Sequence, residues 1–195
     1  MFDTTINKIV DHWIDNNVIN SDDKDNYTYG LDLVFSSAAN ITLVMATALV
    51  TGRVLESIGL LAVIIPLQSC SGGYHAKTHL RCFLIMYIGW WCVVPLIPYI
   101  NLTLGINIAI LSLIILLVFA PVPHVNVTMS EKHFDKMKKV TKWVAFISAI
   151  TGIGLSCLSG KVGMFGTSVI TGMGVVALSV GVARVLYWLE GGGVR

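Results

Sequence analysis

Long apolar runs separated by short polar stretches dominate the chain. A membrane-spanning helix needs about 20 apolar residues. Six runs approach or reach that length, at residues 31–50, 54–67, 83–100, 102–120, 143–160 and 164–187. The run at 54–67 is the shortest, and residues 51–53 could lengthen it. The pattern predicts an all-α polytopic membrane protein with about six transmembrane helices.

The first 20 residues have a different pattern, in which apolar side chains recur at helical spacing. Asp3, Asn7, Asp11 and Asp15 fall on the opposite face, so the segment predicts an amphipathic helix. Its single cation, Lys8, gives little attraction to anionic lipid, which favours docking on the bundle or on a partner. The apolar face carries Phe2, Ile6, Ile9, Val10, Trp13 and Ile14. Residues 20–29 predict a polar, acidic connection.

The composition agrees with the membrane class. Hydrophobic residues make up 55% of the 195 residues and charged residues 12%, and the mean hydropathy is +0.77; a soluble domain of this length is far more polar. We predict one membrane domain. Its parts are an amphipathic helix (1–20), a first helix pair (31–67), a catalytic segment (68–82), a second pair (83–120), a basic loop (121–142) and a third pair (143–189).

The positive charges predict the orientation. With six spans and a cytoplasmic N-terminus, eleven of the 13 lysines and arginines face the cytoplasm, and only Arg53 and Lys161 face outward. Short cytoplasmic loops carry such an excess. We therefore expect both termini, the segment 68–82 and the loop 121–142 on the cytoplasmic side of the cell membrane.

The 121–142 loop predicts a basic helix that continues into the fifth span. Thr128 and Glu131 have the spacing of a capping box, and Phe134, Met137 and Val140 follow at helical spacing. The lysines can keep the loop cytoplasmic, attract anionic lipid, or bind an acidic peptide. The candidate substrate-binding residues are Lys132, Lys136, Lys139 and Lys142.

Candidate chemistry is concentrated at the edge of the third span, in a polar stretch that contains two adjacent glycines. Cys82 is the best nucleophile, because nearby cations and a helix N-terminus both favour a thiolate. Lys77 and Arg81 supply the charge. Thr78 is a plausible N-cap, which would place Cys82 in the first turn, where free amides can donate to an oxyanion.

Two histidines are candidates for the base. On an unbroken helix His75 would lie about 10 Å along the axis from Cys82, too far for a hydrogen bond. His79 would lie one turn away. If Gly72 and Gly73 form a turn, His75 can fold back onto the sulfur. The spacing alone leaves both histidines open.

Two further classes of function remain open at this point. His75, His79 and Cys82 could together bind a metal, as in a membrane metalloenzyme; chelators would then abolish activity, whereas thiol alkylation would abolish a cysteine mechanism. A peptide transporter or scaffold is the third alternative. Transporters usually place polar groups near mid-membrane, whereas here Glu56 is the chief exception to titratable groups at the ends of spans.

The stretch GGYHAKTHLRC, with the later Ala120-Pro121-Val122, Asn126 and Ser130 before a lysine-rich helix, resembles the accessory gene regulator B (AgrB) family of Gram-positive bacteria. The resemblance covers nearly the whole chain. It implies that Cys82 is the catalytic nucleophile and that His75, rather than His79, is its base.

The resemblance also implies a function. Such a protein is a membrane cysteine endopeptidase that processes a precursor peptide, AgrD, in quorum sensing. It cleaves the precursor through a thioester on the cysteine, and ring closure then gives a thiolactone or lactone. The expected partners are the precursor, membrane lipid and a second copy in a homodimer, with no cofactor, metal or nucleic acid.

Overall fold

The structure, a computed structural model, describes residues 3–72, 79–122 and 131–189. Over these residues the chain is helical and contains no strand, which confirms the all-α class. Short 3-10 helices lie at Ser21–Asp23 and Val94–Tyr99. The α-helices are α1 (Asp3–Asp15), α2 (Lys24–Thr51), α3 (Val54–Ser71), α4 (His79–Val93), α5 (Leu102–Phe119), α6 (Glu131–Ser156) and α7 (Gly160–Leu189).

Helix α1 is amphipathic, as predicted, but shorter than residues 1–20. Ile6 and Val10 are buried, whereas Asn7, Asp11 and Asp15 are exposed. The helix ends before Asn17, which has a positive φ of 56°, a conformation that breaks helical hydrogen bonding.

The start of α2 holds α1. Trp13 packs edge-to-face on Tyr27 with ring centroids 6.3 Å apart, and Lys24 donates to Asp11 over 2.6 Å. That hydrogen bond raises the pKa of Lys24 above its usual value. An exposed ion pair adds little stability, so the aromatic contact supplies more of the attachment. Docking of α1 on its own chain is one of the two outcomes that its pattern predicted.

The described chain forms two compact units. The first contains α1, the Ser21–Asp23 turn, α2 as far as Thr47, and α4 as far as Gly89. Within it the Thr47 hydroxyl lies 3.5 Å from the Tyr87 hydroxyl, which links α2 to α4. The second unit contains the end of α2, α3, the end of α4 with the Val94–Tyr99 helix, α5, α6 and α7.

Helix α7 is the centre of the second unit. It contacts α3, α5, α6 and the Val94–Tyr99 helix, and its inward side chains include the fully buried Ile170, Met173, Val176 and Val180. Each neighbouring helix covers part of α7. This explains why the longest apolar run of the sequence is also among the most buried helices.

Small residues bring the backbones of α3 and α7 together. A Cβ on Gly172 would lie 2.8 Å from the carbonyl oxygen of Leu60, and a Cβ on Gly59 would lie 2.8 Å from the Cβ of Ser168. Real side chains do not fit at such distances. Close packing of α3 on α7 therefore requires glycine at these two positions.

Helices α5 and α7 run side by side in the same direction. Gly105, near the start of α5, faces the side chain of Ile170. Phe119, at the end of α5, packs on Trp188 near the end of α7, with ring centroids 6.3 Å apart. Helix α6 runs the opposite way, since Ser156 at its end lies 3.4 Å from Thr167 near the start of α7.

The helix directions show how the chain crosses the second unit. Gly59 and Leu60 meet Ser168 and Gly172 in the same order, so α3 is parallel to α7 and α5. The chain must therefore return between α3 and α5 and again between α5 and α7. Helix α6 makes the second return.

Four helical segments of the described chain are long and apolar enough to span a membrane: Gly30–Thr51, Val54–Ser71, Leu102–Phe119 and Gly160–Leu189. The segment Phe83–Tyr99 is apolar but shorter, and α6 begins with its lysines. Length and composition thus identify four of the six predicted spans. Helix α6, which runs antiparallel to α5 and α7, corresponds to the fifth predicted span, and Phe83–Tyr99 corresponds in sequence to the third.

Several helix boundaries differ from the predicted ones. Residues 24–29, predicted as a connection, belong to α2, and α3 gains length at residues 68–71 instead of at 51–53. The fifth span ends at Ser156, before 160, and α7 begins at Gly160, whose φ is +71°. The third predicted span, at 83–100, changes from α4 to the 3-10 helix that contains Pro95 and Pro98.

The α3–α7 contact makes a stability prediction. Gly172→Ala should destabilise the protein by about 1–3 kcal/mol, because the new methyl group requires a backbone shift at Leu60. Gly181→Ala is the control in the same helix, since a Cβ there meets nothing within 4 Å, and alanine favours the helix by roughly 0.5–1 kcal/mol. Thermal unfolding of the detergent-solubilised variants measures both. Equal midpoints would contradict the close contact.

Candidate active site

One end of the second unit joins two segments that the sequence marks as chemically important. The amide of Val122 donates to the carbonyl oxygen of Ser71 over 3.0 Å. This bond ties the chain after α5 to the last residue of α3. Ser71 is completely buried and its hydroxyl donates to the carbonyl of Gly72 over 2.8 Å. The start of the candidate catalytic segment is therefore fixed by the residues that lead into the basic loop.

Gly72 ends α3 in a conformation that only glycine adopts easily. Its φ is 64° and its ψ is −171°, a region that is essentially restricted to glycine. A Cβ at this position would also lie 2.9 Å from the carbonyl oxygen of Val122. The helix is thus broken at Gly72, so no continuous helix joins 72 to 82.

Proline sets the geometry on the other side of this contact. Ala120 has extended backbone, with φ −90° and ψ 147°, as the residue before a proline prefers. Ala120 and Pro121 are both buried. The chain therefore leaves α5 in the direction that brings Val122 to Ser71.

Helix α4 is described from His79 onward, and His79, Arg81 and Cys82 lie in the first turn of this described part. The first-turn amides of a helix have no partner within it, and the helix dipole places partial positive charge there. Because the residues before His79 lie outside the described part of the chain, a position of Cys82 at the helix start, which would favour a thiolate, stays a prediction. The structure describes only the backbone of these three residues, and His75, Gly73, Lys77 and Thr78 lie outside the described residues. Their catalytic roles remain predictions.

The basic loop continues directly into α6, as predicted. Lys136, Lys139 and Lys142 are exposed, while Phe134 and Met137 are half-buried on the other side. Lys132 lies in the first turn of α6, but its side chain is not described, and the cap candidate Thr128 lies outside the described residues. The exposed lysines leave a cationic surface where α6 begins.

The start of α6 lies at the same end of the second unit as Gly72 and Val122. Helix α6 is antiparallel to α3, α5 and α7, so its first turns lie near the ends of those three helices. Within this unit, the described residues 68–72 and the first turns of α6 therefore lie at one end; that the whole segment 68–82 and the whole loop 121–142 share one side of the membrane stays a prediction. Which side of the membrane that is remains a prediction.

Glu56 lies at the other end of α3. About 24 Å of helix separates it from Gly72, and its buried carboxylate accepts from Arg53 over 3.2 Å. The adjacent Ser57 hydroxyl accepts from the Trp90 indole over 2.8 Å. These contacts hold the start of α3 against its neighbours. We therefore assign Glu56 a structural role, and not the role of orienting the candidate histidine His75.

The other reactive side chains form no recognisable catalytic or metal site within the described part of the chain. Cys70, Cys92 and Cys157 are free thiols. The described residues contain no cluster of three histidine, cysteine, aspartate or glutamate side chains that could hold a metal. The metal hypothesis concerned His75, His79 and Cys82, whose side chains are not described, so it stays a hypothesis.

Sequence reasoning did not identify Ser71 and Val122 as the residues that position Gly72. A serine at a helix end gives no signal of its own. The Ala120-Pro121-Val122 motif was the available signal, because its proline and its place before the lysine-rich helix set it apart from the apolar run.

Comparison with known proteins adds a family. The family model described as Accessory gene regulator B matches residues 5–181, which include both the glycine-broken stretch and the basic helix. A search of curated proteins found no match, and a search of solved structures found none either.

The Gly72 contact can be tested by substitution. Gly72→Ala should destabilise the protein by roughly 1–3 kcal/mol through backbone strain, and the clash with Val122 adds to that strain. Gly52→Ala is the matched control, because Gly52 also has a positive φ, of 71°, but a Cβ there meets nothing within 4 Å.

Thermal unfolding and hydrogen exchange of the Val122 amide measure the effect. We expect faster exchange at Val122 in Gly72→Ala and unchanged exchange in Gly52→Ala. If the two variants behave alike, the Ser71–Val122 bond does not depend on the glycine.

Proposed function

The chain belongs to the accessory gene regulator B family, and we propose that it serves that family's role in autoinducing-peptide processing as a membrane-embedded cysteine endopeptidase. Its substrate is an AgrD-like precursor. The family match carries this proposal, because residues 5–181 include both His75 and Cys82. The structure ends α3 at Gly72, before this pair, and the proposal requires that the chain from His75 to Cys82 is not one helix.

Cleavage in this proposal proceeds through a thioester. The Cys82 sulfur attacks the carbonyl carbon of a peptide bond near the precursor's C-terminus, and His75 takes the thiol proton. When the tetrahedral intermediate collapses, the C–N bond breaks and His75 returns the proton to the leaving amine. The C-terminal tail leaves, and the remaining peptide is an acyl thioester on Cys82.

Ring closure follows by exchange at the same carbonyl. A cysteine or serine side chain of the bound peptide attacks the thioester, the bond to Cys82 breaks, and the thiol is regenerated. The product is a thiolactone or a lactone. Exclusion of bulk water favours this attack over hydrolysis, which gives a physical reason to place such a site at the edge of a bilayer.

A helix start near Cys82 would support the choice of nucleophile. Cys82 lies in the first turn of the described part of α4, and at a helix start the dipole stabilises a negative charge. By contrast, Cys92 is near the end of the same helix, where the dipole has the opposite effect. The two thiols therefore form an internal comparison within one helix.

The catalytic pair makes a direct prediction. Cys82→Ala and His75→Ala should abolish cleavage of a synthetic precursor, and His79→Ala should retain it. Cys92→Ala should cleave at the normal rate, because its exposed thiol has no part in the chemistry. Intact-protein mass spectrometry should show the acyl mass on the wild type and none on Cys82→Ala.

Other outcomes would favour the alternative mechanisms. Inhibition by chelators without inhibition by thiol alkylation, measured in a Cys92→Ala/Cys157→Ala background, would indicate the metalloenzyme. Normal cleavage by Cys82→Ala would overturn the cysteine mechanism. Binding of the precursor without cleavage by the wild type would indicate a transporter or scaffold.

We also propose that the exposed lysines of α6 bind an acidic part of the precursor. Replacing Lys136, Lys139 and Lys142 together by Gln should raise KM about tenfold, if each exposed charge contributes about 0.5 kcal/mol. The value of kcat should change little, because these groups attract the substrate and do not touch the reacting bond.

A charge at the other end of the bundle provides the control. Lys161 is exposed at the start of α7, and Lys161→Gln should leave KM unchanged. High salt should reduce the difference between the triple variant and the wild type, since it screens exposed charges. If the triple substitution leaves KM unchanged at low salt, the lysines do not bind the precursor. Their role is then limited to keeping the loop on the cytoplasmic side of the membrane.

A further inference from the structure

An apolar groove runs between α5 and α7 toward the end of the second unit that carries Gly72. Its volume is about 400 Å³, within the range of small-molecule sites. Ile115 and Phe119 form one wall, and α7 contributes Leu178, Val182 and Trp188 among others. Leu178, Val182 and Trp188 are exposed, so the groove opens on the surface of the bundle.

The length of α7 sets the depth of the groove in a bilayer. The helix has 30 residues and is about 45 Å long, which matches a bilayer with its headgroup layers, whereas the hydrocarbon layer is about 30 Å thick. Arg184 lies roughly 7 Å before the helix end, at the boundary between hydrocarbon and headgroups. Ala177 and Leu178 lie deeper, at the level of lipid chains.

Arg184 brings a positive charge to the polar end of this groove. Its guanidinium stands over the rings of Tyr187 and Trp188, 5.7 and 5.8 Å from their centroids. These contacts use no N–H donor. Within the described part of the chain no carboxylate pairs with Arg184, and its buried Nε has no hydrogen-bond partner.

The absence of a side chain at Gly181 leaves space in the groove. A Cβ at this position would meet nothing within 4 Å, although the residue lines the groove between Leu178 and Arg184. The space is therefore empty because α7 lacks side-chain volume there. A larger residue could fill it without moving the backbone.

The size and charge of the groove select its occupant. A helical peptide is at least 10 Å wide, so about 400 Å³ holds no more than roughly one turn of it, whereas a single extended acyl chain needs far less width. The guanidinium at this depth matches a phosphate without a compensating choline. A phosphate can accept from the N–H groups of an arginine in a bidentate contact.

We propose that this groove binds one anionic phospholipid, with an acyl chain between α5 and α7 and its phosphate hydrogen-bonded to Arg184. The site belongs to the membrane protein itself and does not depend on the peptidase proposal.

Native mass spectrometry of the full chain, reconstituted in nanodiscs of defined lipid, tests the proposal. We expect the wild type to retain one phosphatidylglycerol in preference to phosphatidylcholine, about tenfold for one charged phosphate contact. Arg184→Gln should remove the preference, while Arg184→Lys should keep part of it, because lysine still offers a point charge. Inorganic phosphate and glycerol phosphate should not compete, since they lack the acyl chain.

A second pair of variants tests the groove independently of the charge. Gly181→Leu should lower retention of both lipids, because the side chain fills the acyl site. Gly154→Leu, on α6 outside the groove and also without a neighbour within 4 Å, should retain lipid like the wild type. Size-exclusion profiles of all variants confirm folding.

Three results would overturn the proposal. They are equal retention of the two lipids by the wild type, undiminished retention by Gly181→Leu, and an Arg184→Gln variant that keeps the preference. Displacement of the lipid by a synthetic precursor peptide would also overturn it, because the groove would then be a peptide site.

Discussion

The backbone contact between α3 and α7 is the interaction on which the second unit depends. Because Gly172 has no side chain, the backbone of Leu60 can approach to where a Cβ would stand. Helices in lipid gain no hydrophobic free energy from associating, so close packing has to supply the attraction. With α3 and α5 both aligned along α7, the ends of three helices meet at one end of the unit, and α6 has to return beside them.

The charged groups described in the second unit lie toward its two ends. At one end Val122 is bonded to Ser71, the lysines of α6 are exposed, and Arg184 stands at headgroup depth. At the other end Arg53 compensates the buried carboxylate of Glu56. The helices between them are apolar, as lipid requires, because an irregular, polar chain exposed to hydrocarbon would leave backbone groups without partners. A glycine-broken catalytic segment therefore belongs at an end of the bundle.

A start of α4 near His79 would give the proposed chemistry a physical basis. A thiol beside a bilayer tends to stay protonated, because low polarity disfavours the thiolate. In the proposed site, the first turn of α4 would offset this with its amides and dipole. The proposed peptide-binding lysines of α6 and the proposed lipid groove at Arg184 would then both lie at the polar end of the second unit.

The sequence by itself determined the membrane class, the apolar runs, the amphipathic α1 and the basic helix that continues into the fifth span, because periodicity and run length are local properties. The sequence pattern did not predict that residues 24–29 and 68–71 are helical. Polar side chains interrupt the apolar pattern there, and these residues are helical because they extend α2 and α3. The roles of His75 and Cys82 rest on sequence and family alone. Only the tertiary structure showed the Ser71–Val122 hydrogen bond, the α3–α7 contact and the surroundings of Arg184. Each depends on how the helices pack, about which a local sequence pattern carries no information.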